Sequence, residues 1–121
     1  MEPKALSFTY RHSLIQLNMV KKAIQIDEKD NVAIATSDIN AGEQLEIISP
    51  DGKIIHTPKV IEQIPFGHKL AINHILKGQN LIKYGEIIGI ATQHIEAGAW
   101  VNTHNVSSAR MPTKGKEEGI L

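Results

Sequence analysis

The chain has 121 residues, which is enough for one domain with a single core and too little for two domains of ordinary size. Its 13 lysine and arginine residues balance 13 aspartate and glutamate residues, so it lacks the basic character of a nucleic-acid-binding protein. It has no cysteine, which excludes disulfides and thiol catalysis by this chain, and no apolar run approaches the length of a membrane span. We therefore expect a small cytoplasmic domain with neither a nucleic-acid nor a membrane partner.

The amino-terminal segment, residues 1–18, has only a weak hydrophobic pattern. It lacks an unbroken apolar core and a small-residue cleavage site, so its pattern is not that of a secretory signal. Met19 stands directly before the first strong strand pattern. We predict a compact domain over residues 19–106 and a tail or linker over residues 107–121. Residues 1–18 are interpreted as an extension, a docking arm or a consequence of start-site choice, and the sequence leaves these alternatives open.

Two β-hairpins are predicted in the first half of the domain. Residues 23–26 and 31–36 are short β-like runs separated by "DEKDN", whose aspartate and asparagine residues favour turns. Further along, "EII" and "KIIH" flank a Pro-Asp-Gly turn signal at residues 50–52. Each pair of runs therefore predicts two antiparallel strands joined by a turn.

The second half of the domain has a less certain local pattern. The segment "GHKLAINHIL" follows Pro58 and Pro65, and its apolar positions are compatible with a short helix or a strand. In "LIKYGEIIGI", Gly85 and Gly89 interrupt a β-rich run and predict bends, bulges or close backbone approach. "AWVNTHNV" is predicted as a strand followed by a polar edge, so the domain as a whole is predicted to be mainly β.

A short frame recurs four times: any residue, isoleucine, two residues, glycine, two residues, then leucine or valine. The copies are "DINAGEQL" from Asp38, "QIPFGHKL" from Gln63, "HILKGQNL" from His74 and "HIEAGAWV" from His94. Glycine suits a turn that needs a positive φ, and the unequal spacing of the glycines excludes a solenoid of fixed period. The frame thus predicts a turn, or corner, that is used repeatedly in a compact β fold. The first residues of three copies, Asp38, His74 and His94, are predicted to cap turns.

One copy of the frame differs in a way that bears on function. His68 and Lys69 directly follow its glycine, where a side chain can project from a fixed backbone into a cleft. The alternative is that both are ordinary surface residues, since a histidine after a turn is more often exposed or hydrogen-bonded than catalytic. The residues alone leave both interpretations open.

The segments "NVAIATSDINAGEQL" and "QIPFGHKLAINHILKGQNLIKYGEIIGIATQHIEAGAWVNTHNV" resemble the amino-terminal domain of the altronate and galactarate dehydratase family, which also occurs as the small subunit of sulfolactate sulfo-lyase. The resemblance covers residues 22–106, and its most specific motifs are "IPFGHKLA", "IKYGEIIG" and "THN". It implies an SAF-like β-clip fold of short strands and long hairpins, with at most one or two short helices.

The resemblance also implies a chemistry, which is elimination of water or sulfite from a hydroxylated acid. This reaction needs a base to remove the proton next to the carboxylate and an acid to help the leaving group depart; the dehydratases commonly use iron or manganese. His68 and His104 are implied as catalytic residues or metal ligands. Lys69, Tyr84 and Asn105 are implied as substrate-binding residues. Relatives often have a histidine at the position of Asn102, which this chain lacks.

The dehydratases carry a long catalytic region after this domain, whereas this sequence ends within fifteen residues of "HNV". We therefore expect a small subunit, or a fragment, that is inactive alone and meets a large dehydratase-like catalytic subunit, sharing a sugar-acid substrate and a divalent metal with it. A homo-oligomer is a further expectation. The alternatives are a sulfolactate sulfo-lyase small subunit and a non-enzymatic SAF-type module that binds a carbohydrate or a protein.

Overall fold

The computed structural model describes residues 20–108, which form nine β-strands and no helix, so the mainly β prediction is confirmed. The predicted extension over residues 1–18 and the tail from residue 109 onward lie outside the described residues. Within the described part, no helix is long and apolar enough to cross a membrane. The strands are β1 (Lys21–Ile24), β2 (Val32–Ala35), β3 (Leu45–Ile48), β4 (Ile54–His56), β5 (Lys69–Ala71), β6 (Asn80–Lys83), β7 (Glu86–Ala91), β8 (Trp100–Val101) and β9 (Val106–Ser108).

The strands form two sheets. One has six strands in the order β4-β3-β1-β2-β5-β8, and the other has three strands in the order β6-β7-β9. Both hairpins predicted in the first half are present, because β1 pairs antiparallel with β2 and β3 pairs antiparallel with β4. β1 and β3 run parallel, with Lys21 opposite Leu45, and this pairing joins the two hairpins into one sheet.

The segment that was compatible with a helix or a strand contains strand β5. Lys69 lies opposite Ile34 of β2 on one side and opposite Val101 of β8 on the other. A strand with neighbours on both sides satisfies its backbone groups through the sheet, which decides the local ambiguity in favour of the extended form.

The four repeats pair two by two. Ile39 exchanges backbone hydrogen bonds with Ile64, and Ile75 does the same with Ile95, each forming an isolated antiparallel bridge. The four frame glycines have φ between 81° and 90°, and the residue after each glycine donates its N–H to the carbonyl three residues earlier. This is the geometry of a turn that needs a positive φ at its third residue, so the turn prediction is confirmed.

The core consists of two clusters, and the repeats divide between them. The isoleucines and leucines of the first two repeats enter the first cluster, and the corresponding residues of the last two enter the second. The residues concerned are Ile39, Leu45, Ile64 and Leu70 in the first cluster, and Ile75, Leu81, Ile95 and Val101 in the second. Each repeat therefore supplies two buried anchors, one before its turn and one after it.

The β6–β7 hairpin turns at Tyr84 and Gly85, which have φ of 57° and 73°. The buried Asp30 carboxylate accepts hydrogen bonds from both backbone N–H groups, at 3.0 and 2.8 Å, and so fixes the hairpin to the β1–β2 turn. A Cβ at Gly89 would lie 2.7 Å from the Ser107 carbonyl oxygen, which confirms the predicted close backbone approach. β9 extends through Ser108, two residues into the segment predicted as a tail.

Gly98 and Gly78 occupy the same frame position and allow a matched test of the corner. Both have φ near +90°, but a Cβ at Gly98 would lie 2.7 Å from the Lys59 carbonyl oxygen, whereas nothing lies within 4 Å of one at Gly78. We predict that Gly78→Ala lowers the free energy of unfolding by about 1–2 kcal/mol through its backbone conformation. Gly98→Ala should lower it by a further ~1–3 kcal/mol through the clash. Urea unfolding measures both, and equal losses would contradict the packing at Gly98.

Candidate functional site

His68, Trp100 and His104 form a cluster of rings at the exposed edge of the six-stranded sheet. His68 directly follows the turn glycine before β5, and Trp100 begins β8, which pairs with β5 so that Leu70 lies opposite Trp100. The Trp100 Nε1–H donates a hydrogen bond of 3.2 Å to His68 Nδ1. The ring centroids of His68 and His104 lie 5.7 and 5.3 Å from that of Trp100. The chain's single tryptophan thus contacts both histidines that were predicted as catalytic.

The hydrogen bond from Trp100 assigns the tautomer of His68. A nitrogen that accepts a hydrogen bond carries no proton, so the neutral imidazole carries its proton on Nε2. His68 is exposed, and Nε2–H is therefore available as a donor to a hydroxyl or carboxylate oxygen. The indole fixes which edge of this histidine can meet a ligand.

Asn105 holds the backbone that carries His104. Its side chain, only 4% exposed, accepts a hydrogen bond from the Asn102 N–H at 3.0 Å and donates one to the Trp100 carbonyl at 2.8 Å. These bonds close the turn after β8, so the structure gives Asn105 a positioning role. Its assignment as a substrate ligand stays a prediction.

Lys69 lies on a different surface from its neighbour His68. Successive side chains on a strand point to opposite faces, and Lys69 accordingly lies with Val101, its partner in β8, rather than with the rings. It lines a pocket of about 170 Å³ between the two sheets. The other lining residues are Ile88, Val101, Asn102, Thr103, Val106 and Ser108.

The electrostatic environment of Lys69 favours an anion. Burial lowers the pKa of the Lys69 amine from its usual 10.5, and the like charge of Lys83 lowers it further. Among residues 20–108, no acidic side chain forms an ion pair with Lys69. A half-buried amine beside a second cation and without a protein carboxylate is suited to bind a carboxylate of a ligand.

Tyr84 lies at the tip of the β6–β7 hairpin, where its side chain is 60% exposed. The Lys83 ammonium lies 4.9 Å from its ring centroid. In the part of the chain that the structure describes, no hydrogen bond or ring contact joins Tyr84 to His68, Lys69 or His104. Its role in substrate binding stays a prediction, and Lys83 is a residue that interacts with both Tyr84 and Lys69.

His68 and His104 do not make a complete metal site from the described residues. Three histidine, aspartate or glutamate ligand atoms do converge elsewhere in residues 20–108, in a group that contains neither histidine. His68 Nδ1 is also occupied by the Trp100 hydrogen bond. Asn102 lines the Lys69 pocket. Iron or manganese at these histidines stays a prediction that requires ligands from another chain.

The side chains at the first positions of the repeats have different hydrogen-bond partners. Asp38 caps a turn as predicted, because its Oδ1 accepts a 2.8 Å hydrogen bond from the Phe66 N–H of the paired repeat. The same prediction is wrong for His74 and His94, whose imidazoles contact each other and Glu96. The bridge between the third and fourth repeats brings each imidazole within reach of the other and of the Glu96 carboxylate, and these side-chain contacts take the place of a turn cap.

Trp100 is the site residue that the sequence analysis did not single out. It occupies the seventh position of the fourth repeat, where the second repeat has Lys69. That equivalence did not signal the site, because Lys69 and Trp100 face opposite sides of the paired strands β5 and β8. The register of β5 against β8 brings Trp100 to His68, and a single sequence does not specify that register.

Comparisons with known proteins identify the family of this chain. A family model described as the altronate/galactarate dehydratase SAF domain matches residues 21–109. The chain therefore belongs to the altronate/galactarate dehydratase SAF domain family. Strand β9 and all the predicted site residues lie inside the matched range.

Three relatives illustrate the similarity. Altronate dehydratase of Escherichia coli K12 is 38% identical over 82 residues, which cover 68% of this chain and 15% of that protein. Galactarate dehydratase (L-threo-forming) of the same strain is 36% identical over 91 residues, covering 74% and 16%. (2R)-sulfolactate sulfo-lyase subunit alpha of Chromohalobacter salexigens is 42% identical over 52 residues, covering 43% and 55%. The chain thus matches about one-sixth of each of these two dehydratases and about half of the sulfo-lyase subunit.

The lowered pKa of Lys69 leads to a prediction that NMR titration can check. Lys69 should titrate below 10.5, and Lys83→Gln should raise its pKa towards that value without reaching it, because burial remains. Protonated Lys69 destabilises the fold, so its contribution to the free energy of unfolding should increase as pH rises through the folded pKa towards 10.5. Lys77→Gln, which removes an exposed lysine, is the control. A pKa of 10.5 or above for Lys69, or no response to Lys83→Gln, would contradict the assigned environment.

Proposed function

We propose that this chain is the small subunit of a sugar-acid hydro-lyase of the altronate/galactarate dehydratase type and binds a hydroxylated carboxylate together with a large catalytic chain. The observation that carries the proposal is the match to the dehydratase SAF domain over residues 21–109, which includes His68, Lys69 and His104.

The pocket at Lys69 supports binding of one end of such a substrate. Its amine forms no ion pair with an acidic side chain among residues 20–108, and Thr103 is one of the polar residues that line the pocket. At about 170 Å³ the pocket is smaller than the ~300–1,000 Å³ of sites that enclose a whole ligand. A terminal carboxylate enters it, and the remainder of the substrate needs another surface.

The ring cluster supports a role in proton transfer. Elimination of water requires removal of the proton next to the carboxylate and protonation of the departing hydroxyl. His68 and His104 are exposed, and imidazole exchanges protons near neutral pH. In the proposal these two residues serve as acid and base, with Trp100 fixing the outward edge of His68. A metal belongs to the proposal only as a group shared with the partner chain.

A partner chain is proposed because the ring cluster and the Lys69 pocket are both shallow. The rings of His68 and His104 lie exposed, and the Lys69 pocket is open and small. The first two dehydratases compared above extend well beyond the matched segment, and the shorter relative is by name a subunit. A second chain would cover the site and exclude water from it.

Sulfite elimination is the second candidate. The observation that favours it is the match to the sulfo-lyase subunit alpha, of which the aligned segment covers 55% in one organism and 70% in another. Sulfolactate also carries a carboxylate, so Lys69 would bind it in the same manner. The two candidates differ in the leaving group rather than in the residues of this chain.

The decisive experiment assays the complex purified through the tagged chain from its own host. We predict that the chain alone is inactive, and that the complex dehydrates altronate or galactarate. His68→Gln should lower kcat of the complex by about 10²-fold or more, as expected for loss of a general acid or base. His56→Gln, which changes an exposed histidine in β4, is the matched control and should leave kcat unchanged.

Three outcomes would overturn the proposal in different ways. Turnover by the chain alone would contradict the two-chain arrangement. Sulfite release from (2R)-sulfolactate, without dehydration of either sugar acid, would assign the second candidate. Recovery of the chain without any partner or activity would leave the non-enzymatic binding module as the better account.

A further inference from the structure

The bridge between the third and fourth repeats places three polar side chains on one outer face. Ile75 and Ile95 form the bridge, and both are buried with 1% exposure. Because side chains alternate along an extended chain, the neighbours of these isoleucines point towards solvent. Antiparallel pairing sets His74 across from Glu96, and His94 lies two residues before Glu96 on the same face. All three side chains are exposed.

The ligand atoms of these side chains already converge. His74 Nδ1 lies 3.5 Å from His94 Nε2 and 3.5 Å from Glu96 Oε1, and His94 Nε2 lies 3.0 Å from Glu96 Oε2. The two imidazole rings stack, with centroids 5.4 Å apart and an interplanar angle of 26°. The group is therefore drawn together by the backbone pairing and not only by flexible side chains.

Glu96 presents a different oxygen to each imidazole, and each of the three separations is close in length to an edge of a metal coordination sphere. Zinc bonds of about 2.0–2.1 Å to nitrogen and oxygen give a ligand-to-ligand edge of about 3.3 Å in a tetrahedron. Two imidazole nitrogens and one carboxylate oxygen are a donor set suited to zinc and its first-row neighbours, whereas magnesium and calcium prefer oxygen ligands alone. Charge also favours a cation, because the carboxylate is close to both rings.

We propose that His74, His94 and Glu96 bind one divalent first-row transition metal ion of the zinc class, with a fourth position open to solvent. The site is separate from the His68, Trp100 and His104 cluster and from the Lys69 pocket, and it does not depend on the proposed function. An open fourth position is the arrangement in which a metal binds water or an external ligand.

The first pair of repeats provides an internal comparison. The same backbone bridge occurs there between Ile39 and Ile64, but the first positions hold Asp38 and Gln63. Asp38 accepts a hydrogen bond from the Phe66 N–H, and no convergent group of three ligands forms at that bridge among residues 20–108. The repeat fold alone therefore does not create the cluster. The identities of His74, His94 and Glu96 do.

The test is calorimetric titration of the full chain, free of any histidine tag, with zinc chloride alone. We expect one saturable site with micromolar affinity and an increase in Tm when zinc is present, since a ligand that binds only the folded state stabilises it. His94→Ala and Glu96→Gln should each weaken zinc binding by about tenfold or more, because each removes a direct ligand. Both residues are exposed, so neither change should lower the Tm of the zinc-free chain.

The matched control is His56→Ala, which removes an exposed histidine elsewhere and should leave zinc affinity unchanged. His104→Ala tests whether zinc binds at the ring cluster instead. Cobalt absorbance provides a second measurement, since tetrahedral cobalt gives strong visible bands that His94→Ala should abolish. The absence of saturable binding would overturn the proposal. So would an affinity that persists in His94→Ala and Glu96→Gln, or one that is lost in His104→Ala and therefore belongs to the ring cluster.

Discussion

The pairing of repeats across two antiparallel bridges is the constraint on which the rest of the structure depends. In each bridge two buried isoleucines exchange both backbone hydrogen bonds, at 2.8 to 2.9 Å. Fixing the isoleucine fixes the glycine turn that follows it, and each turn leads into a strand: β3, β5, β6 or β8. A frame of eight residues thus supplies the anchor, the corner and the entry into a sheet.

The pairing of repeats also determines which polar side chains are brought together. The second and fourth repeats deliver β5 and β8 side by side, which brings His68 and Trp100 together and places Lys69 on the opposite face. The third and fourth repeats meet before their turns, which brings His74 close to His94. The fourth repeat therefore contributes to both clusters. Its first residue, His94, contacts His74, and its seventh residue, Trp100, contacts His68.

The sequence predicted those features that depend on local chemistry. The two hairpins, the four positive-φ glycines and the close approach at Gly89 follow from turn residues and from glycine itself. The strand at Lys69 could not be chosen over a helix, because that choice comes from pairing with β2 and β8, which are distant in sequence. The frame likewise predicted corners without indicating which repeat pairs with which.

The candidate site was only partly predicted, because its contacts also depend on pairing between segments that are distant in sequence. Family resemblance grouped five residues, of which the structure brings His68 and His104 to one indole. Lys69 faces another surface because adjacent residues of a strand alternate, and Asn105 is buried because it closes the turn beside Trp100. The interactions of His74 with Glu96 depend on cross-strand register, which a single sequence does not specify.

We propose that the Trp100 and Lys69 surfaces bind a hydroxylated carboxylate when a partner chain is present. The most direct measurement is an NMR spectrum of the isotope-labelled chain in complex with its unlabelled partner as sugar acid is added. The single tryptophan gives one indole N–H signal, which should shift together with the backbone signals of Lys69 and Thr103, while those of β4 stay in place. Unchanged signals at saturating substrate, or shifts confined to β4 and its neighbours, would contradict the account.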